Sequence, residues 1–221
     1  MKIKSILWML ALFVSLSIGF TSCDPKPKKQ DAQIEKKAIP EAFDEVMPSD
    51  GTLTVENAIS TDREYMYLHY KEDYRWYETT VVFADYLDGE AQDGSIKSVT
   101  STFQVMYPDE GGTSGDAVVV FITHDLNTIR IEAKEGIFVG DYALNSNPIN
   151  VTFTEAYERM MSANYVKPHS RYCVLRQPVG PKVANPQYIF GNNRAQIYVD
   201  AVNANVVDKN PSFGKPLGEW P

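Results

Sequence analysis

Cysteine is nearly missing from this chain: among 221 residues only Cys23 and Cys173 are present. If Cys23 is consumed by processing, one thiol remains, and one thiol makes no internal disulfide. A disulfide framework is therefore excluded, and the fold must be held by its core. Histidine is almost as sparse. His69, His124 and His169 are widely scattered and lack the close ligand spacing of a structural metal site. No phosphate loop or nucleophile–base pair is legible either. No catalytic, cofactor-binding or metal-binding residue is assigned. His169 lies four residues from Cys173, but along a strand that separation exceeds about 10 Å. Cys173 alternates with Arg171 and Leu175 and reads as a small buried hydrophobe.

Basic charge is short as well. Twenty-nine acidic residues face twenty-one basic ones, and residues 38–221 hold 26 against 14, a net −12. That balance argues against nucleic acid and against broad membrane contact. It suits a basic protein partner, or solubility alone.

Long apolar runs are absent apart from Ile6 to Phe20, too short for a comfortable span. Lys2 and Lys4 precede this run, and Thr21-Ser22 leads into Cys23. The pattern reads as a lipoprotein signal over residues 1–22 with Cys23 lipidated, and it resembles lipoproteins of Bacteroidota-type bacteria. An ordinary secretory signal or a short anchor helix is the rival reading. Residues 24–37 combine Pro25, Pro27 and five lysines with almost nothing apolar. Such a segment cannot order itself and acts as a tether, either solvated or resting on anionic lipid heads. Residues 23–50 are thus the lipidated cysteine and its tether, with Ile39 to Met47 as a short docked segment. The expected location is the cell envelope, at the outer membrane, with the periplasmic face and the cell surface both open.

What the chain does contain is two capped helix starts among many strand-like stretches. Thr152 is a good N-cap, with Glu155 placed for a capping box. Phe153, Ala156, Tyr157, Met160 and Met161 follow on one amphipathic face, and the helix should fade near Asn164. Leu53-Thr54 before Ala58-Ile59 repeats Val151-Thr152 before Ala156-Tyr157 at a separation of 98 residues, a weak internal repeat. The first helix runs from Val55 into the 60s. Strands are expected over Tyr74 to Leu87, Val99 to Tyr107, Ala117 to Thr123, Thr128 to Lys134, Ile137 to Leu144, Arg171 to Arg176 and Gln187 to Phe190. Asp141 is placed on a solvent face, and Gly136 and Gly140 at bulges or a bend. Gly191-Asn192-Asn193 suits a tight hairpin turn. Beyond it Ala195, Ile197, Val199 and Ala201 alternate with Gln196, Tyr198 and Asp200, as in a strand buried on one face.

Val151-Thr152 with Ala156, followed downstream by Val199-Asp200-Ala201, resembles the C-terminal part of a PepSY-like domain. In that family an apolar-Thr helix start leads into an antiparallel sheet ending in Val-Asp-Ala and a turn. Here Val202-Asn203-Ala204-Asn205 lacks the usual glycine. The expected fold is α+β, with helices packed on antiparallel β-sheet. Residues 51–148 form a first helix-plus-sheet unit, 149–210 a second PepSY-like unit, and 211–221 a tail. If the repeat is real, these are two tandem PepSY-like units. The resemblance implies a protein partner in the envelope, a peptidase or another enzyme, because PepSY-like domains occur in propeptides of secreted peptidases. Tandem units of similar design are known in a β-lactamase inhibitor protein. No inhibitory motif carries over residue by residue.

Two surface features remain. Lys167, His169, Arg171, Arg176 and Lys182 form a basic stretch in an acidic body, read either as loop solvation or as a contact for acidic groups. His169, Arg171 and Arg176 are the candidate partner-binding residues. Tyr65, Tyr67, Tyr70, Tyr74, Trp76 and Tyr77 crowd one region, as core or as a platform for sugar or peptide. The functional expectation is a lipid-anchored binding protein, held to the bilayer through Cys23, with no catalysis of its own. A glycan-binding or surface-assembly lipoprotein is the alternative, and a hydrolase with two carboxylates from distant loops is a third.

Overall fold

The computed structural model describes residues 44–71, 73–84, 86–87, 90–91, 94–106, 117–145, 147–166, 170–192 and 195–213. All belong to one compact unit spanning Ala38–Pro221. In chain order the elements are β1 (Asp44–Pro48), α1 (Val55–Tyr70), β2 (Tyr74–Phe83), β3 (Tyr86–Leu87), β4 (Glu90–Ala91), β5 (Ile96–Met106), β6 (Ala117–His124) and β7 (Thr128–Glu135). They continue as β8 (Asp141–Tyr142), α2 (Phe153–Ser162), β9 (Tyr172–Pro178), β10 (Gln187–Asn192), β11 (Ala195–Asp200) and β12 (Val206–Val207). Ten strands make one sheet in the order β1-β7-β6-β5-β2-β9-β10-β11-β12, with β8 beside β9; β3 and β4 pair separately. Every pairing is antiparallel.

The expected α+β architecture is overturned. One large antiparallel sheet dominates, and among the described residues helix is confined to segments of 16 and 10 residues. At 1.5 Å per residue these are about 24 and 15 Å long, whereas nine strands side by side span about 38 Å. The capping signals of the helices are local and clear, while the strand signal is spread over many short stretches. Nor do 51–148 and 149–210 make separate sheets. Their strands run in one sheet, joined where β2 pairs with β9.

Both threonine caps form. Thr54 Oγ1 accepts from Asn57 N at 3.2 Å and Thr152 Oγ1 from Glu155 N at 3.1 Å, and Ala58 and Ala156 are both buried. The Glu155 carboxylate, expected to reach back to the cap, pairs instead with Arg159 at 3.4 Å. The start of α2 receives help from elsewhere: Glu56 Oε1 accepts from Phe153 N at 2.6 Å. A carboxylate there complements the positive end of the helix dipole.

Side chains of both helices meet the same sheet face. Asp62 contacts His124, the Arg63 guanidinium lies over Trp76, and Phe153 packs on Phe83, Tyr188 and Phe190. Val81, Val99, Phe103, Val120, Ile131, Cys173, Leu175, Ile197 and Val199 complete this core. Met160 is buried, but Met161, expected on the same stripe, is 38% exposed. Met160→Ala is therefore expected to cost about 2–5 kcal/mol, and Met161→Ala to stay within about 0.5 kcal/mol, in denaturant titrations.

Four local expectations are corrected. The strand expected from Ile137 to Leu144 shrinks to Asp141–Tyr142, because Gly136 (φ 146°) and Gly140 (φ 139°) bracket an irregular loop. Asp141 is not on a solvent face: its side chain is 4% exposed. Tyr198, expected on the wet side of its strand, is 1% exposed. The tight turn expected at Gly191-Asn192-Asn193 is shifted as well. Gly191 and Asn192 belong to β10, with Asn192 opposite Ala195, and residues 193 and 194 lie outside the described residues.

Past β11, Asp200 organises the turn: its Oδ1 accepts from Val202 N at 2.8 Å and Asn203 N at 3.2 Å. The left-handed residue there is Ala204 (φ 62°), not an asparagine. Since glycine adopts that geometry without the Cβ penalty, Ala204→Gly is expected to raise stability by up to about 1 kcal/mol in thermal melts.

Candidate functional site

The face of the sheet turned away from the helices follows from the two-residue period of its strands. Thr79, Val81 and Phe83 point into the core, so Glu78, Thr80 and Val82 point the other way. The register extends this alternation across the whole sheet. One row runs Asp44, Glu132, Phe121, Thr102, Glu78, Arg176, Gln187 and Asp200. The next runs Val46, Arg130, Thr123, Thr100, Thr80, Val174, Ile189, Tyr198 and Val207. Tyr172, opposite Val82, begins a third.

Texture varies along this face. On the β1 side charges pair off: Arg130 lies 3.9 Å from Asp44, and Lys134 lies 2.9 Å from Glu132. In the middle stand threonines, with Thr100 and Thr123 hydroxyls 3.0 Å apart. On the far side Tyr172 is 49% exposed and Val207 37%. Between them lies the most heavily charged half-buried group on the face. Arg176 Nη1 reaches Asp141 Oδ2 at 3.5 Å, because the short strand β8 sets Asp141 opposite Pro178. Glu78 stands directly across from Arg176 in the register yet has no ion pair among the described residues. Burial pushes the Glu78 carboxyl up, Asp141's charge pushes it further, and Arg176 pulls it back only in part. Burial likewise raises Asp141 against the pull of Arg176. Two carboxyls share one guanidinium.

A second polar group lies on the other face, under α1. His124 Nε2 and Asp62 Oδ1 are 2.5 Å apart, both residues buried. Asp62 Oδ2 has no hydrogen-bond partner among the described residues. Burial raises the Asp62 carboxyl, while the bond to His124 acts in the opposite direction. Nearby on the same face, the Ser101 and Thr79 hydroxyls are 3.1 Å apart and Trp76 Nε1 donates to Thr79 Oγ1 at 3.1 Å. This group is sealed beneath the helix and serves the packing of α1.

The sequence-nominated residues are dispersed. Cys23 and His169 lie outside the described residues. Arg171 is exposed at the entrance to β9, its carbonyl accepting from Phe83 N at 2.9 Å. Arg176 is five residues on, about 16 Å away, and an odd separation puts the two on opposite faces. They do not form one patch. Of the crowded aromatics, Tyr70 and Trp76 are core. Tyr65 stacks on His69 at 4.2 Å, Tyr74 meets Phe103 edge-on at 5.8 Å and Tyr77 packs on Phe138 at 4.9 Å. Tyr67 is left exposed, and one ring makes no platform. Cys173 is fully buried and burial pushes its thiol well up, the opposite of what a nucleophile needs. Among the described residues no group of three or more histidine, cysteine or acidic side chains is placed to hold a metal.

Sequence reasoning found Arg176 but missed Glu78 and Asp141. Their signal was the alternation of β2, visible in principle, and a β8–β9 pairing that nothing local encodes. Comparison of the chain with protein-family models, curated proteins and solved structures finds no match.

Proposed function

We propose that this chain is a lipid-anchored cell-envelope protein that acts by binding another protein, with its helix-free sheet face as the contact surface. The observation that carries the reading is that face itself. It lies away from both helices; Thr102, Gln187, Ile189 and Tyr198 on it are buried, and what it leaves open is the part-exposed patch of Glu78, Thr80, Val174 and Arg176 beside the exposed Tyr172 and Val207. A surface of that composition suits a protein interface, where aromatic and apolar groups sit within a polar surround. The buried ionisable groups support the same reading, since Asp62 with His124 and Cys173 are enclosed in packing. Anchoring rests on the signal-like residues 1–22 and on Cys23. Among the described residues no helix is long and apolar enough to cross a membrane.

The test is chemical cross-linking in intact cells, comparing wild type with Cys23→Ala. A discrete adduct in wild type that is lost when the chain leaves the membrane is the expected result. Turnover of a substrate by the purified protein, abolished by a single Asp, Glu or His substitution, would refute it.

A further inference from the structure

We infer that the partner presents a lysine or arginine to the Glu78–Asp141–Arg176 group on the helix-free face, an assignment that rests on the binding reading above. The argument is one of unbalanced charge. Arg176 is committed to Asp141 at 3.5 Å, and Asp141 is almost wholly enclosed. Glu78, beside them, has no ion pair among the described residues. A carboxylate held in a partly buried site with only a shared guanidinium across the register is unfavourable, and a second cation from outside would complete the set. The neighbouring surface suits such a side chain. Val174 and Thr80 lie one row away on the same face, with Tyr172 beyond them. They offer apolar surface for the methylene stem of a lysine or arginine while its head reaches Glu78.

Other occupants fit less well. An acidic group would meet Glu78 and Asp141, and the Arg176 Nε that lacks a hydrogen-bond partner among the described residues is buried out of its reach. A second copy of this chain would set carboxylates against carboxylates, and the chain carries a net charge of −8. Asp200, further along the row, has its oxygens engaged by Asn185 and by the turn amides, so it does not compete for the incoming cation.

The experiment places a photo-cross-linking residue at Thr80 in the full-length chain in its native cells. The same residue at Glu64, exposed on α1, is the control. The expected result is an adduct from Thr80 whose mapped partner segment carries a lysine or arginine close to the cross-link. Glu78→Gln should weaken capture about tenfold or more. Val174→Lys, which supplies a positive charge on the chain's own side and leaves the carboxylates intact, should do the same. A synthetic peptide of the mapped segment should bind the purified chain, and its norleucine-substituted version should not. An adduct indifferent to both substitutions, or a segment without basic residues, would overturn the charge assignment and leave the binding reading standing. Adducts at Glu64 alone would overturn the choice of face. No adduct at either position would overturn the binding reading too.

Discussion

Replacing His124 with alanine is expected to destabilise the fold by about 3–5 kcal/mol at neutral pH, because the buried Asp62 carboxyl is left without its partner. Asp62 is fully enclosed between α1 and the sheet, and one of its oxygens already lacks a hydrogen bond among the described residues. Removing the imidazole would leave only the Ser101 hydroxyl to face the carboxyl. The pH dependence follows from the direction of the shift. Burial raises the Asp62 carboxyl above its ordinary 3.8 in the folded chain, so between the unfolded and folded values the folded state holds a proton that the unfolded state has released. The stabilising contribution is complete below 3.8 and is lost as pH rises through the raised folded value. Asp62→Asn removes that titration while keeping the shape of the side chain. Its stability curve should therefore lack the decline that wild type shows upward from about pH 4. Urea titrations of wild type and the two variants across pH measure both effects.

The second large effect is expected at Phe153. Its ring touches Phe83, Tyr157, Tyr188 and Phe190, with centroids between 5.9 and 6.4 Å, and its amide is the one that Glu56 caps. Phe153→Ala should cost about 3–5 kcal/mol. It deletes the contact through which α2 meets both β2 and β10. By contrast Glu56→Gln, which keeps an acceptor but loses the charge, should cost no more than about 1 kcal/mol. A denaturant series in which both substitutions cost the same would mean that α2 is held by its cap and not by its aromatic face.

Local chemistry was legible in the sequence, and long-range pairing was not. Thr54 and Thr152 announced their helices because a cap is written within four residues. The long strands of the first half announced themselves through β-branched and aromatic runs. Tyr198 was misplaced because alternation says which residues share a face, not whether the second face is covered. Asp141 was misplaced for a related reason: its burial depends on β8 pairing with β9, some 36 positions away. The balance between sheet and helix is not legible locally, because two clear helix signals stand out against a strand pattern divided among many stretches. The candidate site was half legible. Arg176 stood out as basic in an acidic chain, but its carboxylate neighbours come from β2 and from β8. Only the register of three strands brings them together.

The central claim is that the helix-free face is covered by a partner in the cell while the helix side is not. Tyr172 on that face and Tyr67 on α1 are nearly equally exposed, at 49% and 52%, so each serves as the other's control. Oxidative footprinting of both rings, in intact cells and on the purified chain, compares the two faces directly. The account predicts that Tyr172 is protected in cells while Tyr67 labels equally in both settings. Equal labelling of Tyr172 in both settings, or protection confined to Tyr67, would contradict it.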